Sequence, residues 1–216
     1  MTAAGDSARS EVASPAELGP RLREARRGRG ISLRELARRV HVSPSLVSQI
    51  ETGKIHPSVS TLYALATELG ASVDHLLFEG TPTGAPAPRV GTDPVRDHPN
   101  LPPVIRSDDR KVIRLSSGVR WEQLTAGTVP GLDFLHVIYP SGSESAPEDA
   151  MQRHPGREWG YVTSGTLHVT IAFNNHVLEA GDAISFDSTV PHRLYNIGGK
   201  DAHAVWFVLG RHSGHP

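Results

Sequence analysis

The 216-residue sequence predicts an all-helical domain followed by an all-β domain, on three observations. Short apolar-periodic segments with helix-capping signals fill residues 16–80. Seven prolines fall between Thr81 and Pro103, a stretch that can build neither helix nor sheet ladder. From Val104 onward, short runs of alternating apolar and polar residues are punctuated by Gly and Asn. The expected division is a loose tail over 1–15, a helical domain over 16–80, a linker over 81–103 and a β domain over 104–216.

Composition narrows the function classes. Lys and Arg number 22 against 23 Asp and Glu, for a formal charge of -1, so no global field announces a polyanionic partner. Absence of cysteine removes disulfides, thiolate nucleophiles and thiolate metal sites together. No apolar run approaches the ~18 residues of a membrane span. The opening MTAAGDSARSEVASP lacks the basic-then-apolar order of a secretory signal, so a soluble cytoplasmic protein with no membrane partner is expected. Charge is nevertheless uneven. Between Pro20 and Pro57 nine basic residues face three acids, the mark of a basic binding module joined to a neutral one.

Five helices are expected in the N-terminal domain. Leu18, Leu22 and Ala25 recur at helical spacing and are stopped by Gly28 and Gly30. Ser32 stands three residues before Glu35, a capping box opening a helix whose Leu33, Leu36, Ala37 and Val40 share one face. Arg34, Arg38 and Arg39 are left for solvent or phosphate. His41 and Val42 make a turn, Ser43 caps a third helix, Pro44 takes its first position and Gly53 stops it. In that helix Leu46, Val47 and Ile50 point inward, while Ser45, Ser48 and Gln49 point outward. Ser58 opens a fourth helix closed by Gly70, and Ser72 a short fifth.

Two short helices around a tight turn, the second thin and polar outside, meet the requirements for entering a DNA major groove ~12 Å wide. The segment LRELARRVHVSPSLVSQIETGKIHPSVSTLYALATELG resembles the helix-turn-helix of the Cro/CI-type, or XRE, regulators, which implies a five-helix λ-repressor-like domain. The resemblance makes Ser43, Pro44, Ser45, Ser48 and Gln49 the base-facing set and Ser32, Thr52 and Lys54 backbone contacts. Gln49 is the strong reader, since its amide pairs bidentately with adenine.

After Val104 the strand-like runs are VIRL, FLHVIYP, GYVTSG, LHVTIAF, HVLEAGD, AISFD and AVWFVLG, with Asn174–Asn175 read as a turn. Many short strands favour a sandwich or a barrel closed to manage its edges. One constellation carries chemistry. His154 and Glu158 lie four apart, and His192 follows in VPHRLYN. Two imidazoles and a carboxylate without cysteine suit Fe, Mn, Zn or Ni with open positions. The other reading of the trio is hydrogen-bonded polar residues in a metal-free organic-ligand pocket. His41 reads as a turn residue, His75 as part of the fifth helix, His212 and His215 as tail, and His168 and His176 as surface strand positions or, alternatively, as lining a face of the barrel.

The succession His154, Glu158, Gly165 and then Gly181, His192, Asn196 resembles the two motifs of the cupin barrel, a double-stranded β-helix of jelly-roll type. Gln152 stands where the first motif has its first histidine, reducing four ligands to three. Asp187 and Thr189 replace a proline and a glycine of the second motif. The resemblance makes Gln152, His154, Glu158, His192 and Asn196 the ligand-binding set, with a divalent metal on His154, Glu158 and His192. Arg120, Tyr139, Tyr161, Phe186 and Trp206 reach the pocket or not according to strand register.

The whole order resembles the XRE–cupin regulators. It implies a transcriptional regulator, not an enzyme, binding a double-stranded operator as a homodimer and answering a small-molecule effector. Barrel edge strands and Val73, Leu76, Leu77 and Phe78 are candidate dimer contacts. The same architecture resembles a mononuclear non-haem iron enzyme, hydroxypropylphosphonate epoxidase, although Arg29 and Gly30 occupy the stretch where that enzyme type has a lysine. A third class, a non-catalytic assembly module, is disfavoured by the polar Ser45, Ser48 and Gln49.

Overall fold

The computed structural model describes residues 15–71, 73–78, 102–127, 129 and 131–210. All of the expected tail but Pro15, which opens the first helix, nearly all of the linker, Ser72, His212 and His215 lie outside them, as do the side chains of His75 and Phe78.

Helices α1 (Pro15–Gly28), α2 (Leu33–Arg39), α3 (Pro44–Glu51), α4 (Val59–Leu69) and α5 (Val73–Phe78) run in order. The caps set the boundaries. The side-chain oxygens of Ser32, Ser43 and Ser58 accept from the backbone amides of Glu35, Leu46 and Thr61, each at 3.1 Å, and Gly70 closes α4 at φ 57°. Only half of the expected capping box forms, because the Glu35 carboxylate turns instead to Arg38 and Arg39. The α2–α3 turn is tight because His41 takes φ 56°, a left-handed conformation uncommon outside glycine. Leu22, Leu36, Val47, Ile50, Leu62 and Leu65 fill the core.

The five-helix, closed-barrel expectation is corrected on both counts. Four helices have seven residues or more, and α5 is a single six-residue segment. Its Val73, Leu76 and Leu77 are buried, so they serve the chain's own core rather than a dimer contact.

The β domain comprises β1 (Val112–Arg114), β2 (Arg120–Gln123), β3 (Leu132–Tyr139), β4 (Arg157–Ser164), β5 (Thr166–Ile171), β6 (Asn174–Glu179), β7 (Ala183–Asp187), β8 (His192–Tyr195) and β9 (Ala202–Leu209). These strands form two open antiparallel sheets, ordered β1-β2-β3-β9-β4-β7 and β6-β5-β8, neither closed on itself. Alternation places Leu135, Val137, Trp206 and Val208 of the large sheet, with Leu167, Val169 and Leu194 of the small one, in the core. The β5–β6 turn falls at Ala172–Phe173, and Asn174 and Asn175 pair in the ladder instead. Ala172 supplies the left-handed residue at φ 53°, and Phe173 is left 98% exposed at the tip.

The two domains meet directly. The amide of Ser60, in the first turn of α4 and so without a partner inside the helix, donates to Ser145 O at 3.1 Å, and Ser116 N donates to Pro57 O at 3.0 Å. Val59 and Tyr63 of α4 face the β domain across this seam.

Candidate metal centre and DNA-facing helix

Three chain segments converge at one end of the sandwich. Glu158, second residue of β4, points inward from the large sheet. His192 opens β8 of the small sheet, and its backbone exchanges two hydrogen bonds with Gln152, at 3.1 and 2.9 Å. His154 follows, fixed by its amide on Ser188 O at 3.0 Å. All three side chains are at most 3% exposed, and their donor atoms lie within 4.8 Å of one another.

Tautomer chemistry decides what this cluster is for. His154 Nδ1 donates to Pro155 O at 3.1 Å and His192 Nδ1 to Val190 O at 2.8 Å. A carbonyl only accepts, so in each neutral ring the proton is on Nδ1 and Nε2 carries the lone pair. Those two Nε2 atoms lie 2.9 and 3.1 Å from Glu158 Oε1, and neither Glu158 Oε1 nor His192 Nε2 makes a hydrogen bond of acceptable geometry. Lone pairs aimed at one another in a buried space repel unless a cation or extra protons sit among them. The two spacings match the ~3 Å edge between adjacent ligands about 2.1 Å from an octahedral ion. The residues present therefore fit a divalent metal. The other Glu158 oxygen accepts from Trp206 Nε1 at 2.6 Å, the outer-shell support that orients a ligating carboxylate. Burial pushes the Glu158 carboxyl up, while hydrogen bonds and charge from His154 and His192, which act this way only when both rings are protonated, hold it well below the ordinary range. Protons on the two Nε2 atoms are thus what a metal ion would replace.

Gly160 makes this support possible. A Cβ there would run into the Trp206 ring, which stands directly opposite across β4 and β9. Gln152 is buried with its Oε1 unpartnered and lines a cavity of about 10 Å³ with Glu158, Trp206, Tyr139 and Trp121. The Tyr139 hydroxyl is raised well above its usual range by burial, by neighbouring Tyr63 and by Glu158. Register thus sends Tyr139, Phe186 and Trp206 inward and Tyr161, 49% exposed, outward. Arg120 lies beside Glu122 on the outer face, 3.1 Å from its carboxylate. Asn196 spends its side chain on Tyr139 O, Lys200 O and Gly198 N, which ties a turn together.

Sequence reasoning missed Val59 and Tyr63, which line the cavity from the helical domain. The Tyr63 ring lies 4.6 Å from that of His154 and 5.4 Å from that of Trp121. No motif marks them, because α4 reads as an ordinary core helix.

On the helical domain, Ser32, Ser43, Pro44, Ser45, Gln49, Thr52 and Lys54 are exposed and Ser48 is half-buried. They surround α3, whose Val47 and Ile50 are buried. Much of the basic charge is spent internally. Buried Glu51 takes Arg26 at 2.6 Å and Arg23 at 3.3 Å, while Arg38 and Arg39 bind Glu35 and Glu68. Arg27, Arg34 and Lys54 are exposed.

Residues 22–76 match the helix-turn-helix family and residues 135–208 the cupin domain family. The HTH-type transcriptional regulator PuuR of Escherichia coli is 26% identical over 178 residues, covering 82% of this chain and 86% of its own. A helix-turn-helix transcriptional regulator structure from Vibrio cholerae superposes with TM-score 0.62 at 21% identity, over 90% of this chain and 96% of that one; it attests the fold. Hydroxypropylphosphonic acid epoxidase from S. wedmorenis, 18% identical over 92% of this chain and all of its own, has a TM-score of 0.42, a likeness too distant to bear on function. The expectation that the chain is not an enzyme is nonetheless corrected by its own residues. A buried His154–Glu158–His192 cluster with converging donors is a competent facial site for metal-dependent chemistry. Among the described residues, no helix is long and apolar enough to cross a membrane.

Proposed function

We propose that this chain, which belongs to the proteins fusing a helix-turn-helix DNA-binding domain to a cupin domain, regulates transcription through a metal centre in the cupin module. The observation that carries this reading is the trio of facing donors on His154, Glu158 and His192, spaced 2.9 and 3.1 Å about one carboxylate oxygen. His154, Glu158 and His192 hold the ion, and Gln152 Oε1, buried without a hydrogen-bond partner, adds a carbonyl ligand. The donor set favours Fe, Mn, Zn or Ni over calcium or magnesium. When bound, such an ion supplies Lewis acidity and open positions for an effector's oxygen or nitrogen atoms.

Ser43, Pro44, Ser45, Ser48 and Gln49 read base edges, while Ser32, Thr52 and Lys54 hold phosphates. One such helix makes few base contacts, so operator binding requires a homodimer with half-sites one DNA turn, ~34 Å, apart. Effector or metal binding changes operator affinity by the difference in its binding to two dimer arrangements. The regulatory relatives support this reading.

The second reading is a mononuclear iron enzyme. On the site's geometry alone it has the stronger support, because two histidines and one carboxylate with vacant faces form the ligand set of non-haem Fe(II) oxygenases. One preparation distinguishes the two. Purified chain is assayed for bound metal, for preference for DNA beside its own gene over random DNA, and for oxygen consumption with small hydroxylated and phosphonate substrates. Bound metal with operator preference supports the regulator. Metal with turnover and no operator preference supports the enzyme and overturns the regulator.

A further inference from the structure

The wall of the metal site is completed by the DNA-binding domain. Val59 and Tyr63 of α4 line one cavity with Glu158 and Gln152, and the Tyr63 ring lies beside both His154 and Trp121. With α4 seated, about 10 Å³ remains, room for a single water. A chelating organic molecule of five or more heavy atoms does not fit there. The site is polar enough to attract one, since Gln152 Oε1 and Glu158 Oε1 are buried without hydrogen-bond partners.

We propose that Tyr63 is the size-selecting residue of the metal site: with its ring seated, only a water-sized or diatomic co-ligand is admitted, and a larger chelating effector binds by displacing Tyr63 and lifting α4 from the cupin module. This inference rests on the metal-centre reading above. Two backbone hydrogen bonds, Ser60 N to Ser145 O and Ser116 N to Pro57 O, flank Val59, and the four polar groups freed on opening are satisfied by water at small net cost. The larger cost is exposing Val59 and Tyr63, which are 1% and 4% exposed. Val47 and Ile50 of α3 share a buried core with Leu62 and Leu65 of α4, a core that continues into the β domain, so a shift of α4 is felt at α3. Effector occupancy is thereby converted into freedom of the DNA-binding domain.

Three measurements on the full chain test this. Fe(II)-loaded wild type and Tyr63→Ala are titrated with nitric oxide and with acetohydroxamate. Nitric oxide affinity is expected to match in the two, while acetohydroxamate binds Tyr63→Ala about tenfold more tightly. In the wild type, which needs no substitution, acetohydroxamate is expected to speed hydrogen exchange at the Ser60 and Ser116 amides about tenfold, and nitric oxide to leave them unchanged. The third measurement needs no metal. The chain has no cysteine, so Gln152→Cys places one thiol beneath Tyr63, and its rate with a thiol-disulfide reagent is expected to rise about tenfold when Tyr63→Ala is added. Acetohydroxamate binding with unaltered Ser60 and Ser116 exchange overturns the proposal, as does a thiol rate indifferent to Tyr63. Failure of wild type to retain iron overturns the metal-centre reading instead, and the thiol rate still decides whether Tyr63 closes the cavity.

Discussion

At the scale of single residues, donor direction matters more than residue identity. Twelve histidines occur in the chain, yet among the described residues only His154 and His192 have Nδ1 tied to a carbonyl and Nε2 aimed at a shared carboxylate. Gly160 acts on the same site by what it lacks. Gly160→Ala puts a methyl into the Trp206 ring; overpacking of this kind costs about 1–3 kcal/mol. The expected result is a lower melting temperature together with altered tryptophan fluorescence, since Trp206 must surrender its bond to Glu158. An unchanged melting curve would show that the strand pair relaxes freely. On the other domain, Gln49 is the exposed amide of α3. Gln49→Ala is expected to flatten base preference at one half-site position, with a loss of about 1–3 kcal/mol there. Binding-site selection with both proteins reads it, and an identical selected motif would remove Gln49 from the base-reading set.

At the scale of elements, α3, the proposed base-reading helix, is held by an ion pair at its last residue rather than by apolar packing alone. Glu51 is 3% exposed and engages Arg26 and Arg23 of α1. Glu51→Ala leaves the Arg26 guanidinium half-buried with its main partner gone, which costs about 3 kcal/mol. Chemical denaturation should show it as a lower midpoint, and a loss below about 0.5 kcal/mol would place the pair among ordinary surface bridges. Helices were legible because their signals are local: Ser32, Ser43 and Ser58 cap where the sequence says they should. Strands were less so. β2 and β8 are four-residue segments whose RWEQ and HRLY carry no β-branched residue, and their pairing depends on neighbours distant in the chain. Asn174–Asn175 has good turn chemistry, but the ladder places the turn two residues earlier, at Ala172. His154, Glu158 and His192 were readable from residue type together with the cupin-like order of the surrounding glycines and Asn196, since their spacing alone is common. Tyr63 was not, since helical periodicity shows that a side chain is buried and never against which domain.

At the scale of the whole molecule, the helical domain packs against the β domain beside the His154–Glu158–His192 cluster. Local energies there are transmissible to DNA only if both ends bias the same seam. The hydrogen bonds of Ser60 and Ser116 and the Tyr63 contacts with His154 and Trp121 are that seam. His192→Ala separates transmission from folding. It removes one donor from a site that already carries several buried polar atoms and leaves α3 and its caps untouched. Bound metal should fall to near zero by elemental analysis while basal operator binding stays within about twofold. The metal-dependent change in operator affinity, about 1–3 kcal/mol for a coupled pair of sites, should vanish. A gel-shift titration with and without added Fe(II) reads both quantities. A folded His192→Ala protein that has lost the operator altogether would mean that the cupin module supports DNA binding directly. Metal would then act as a structural brace between the domains rather than as a signal passing through α4.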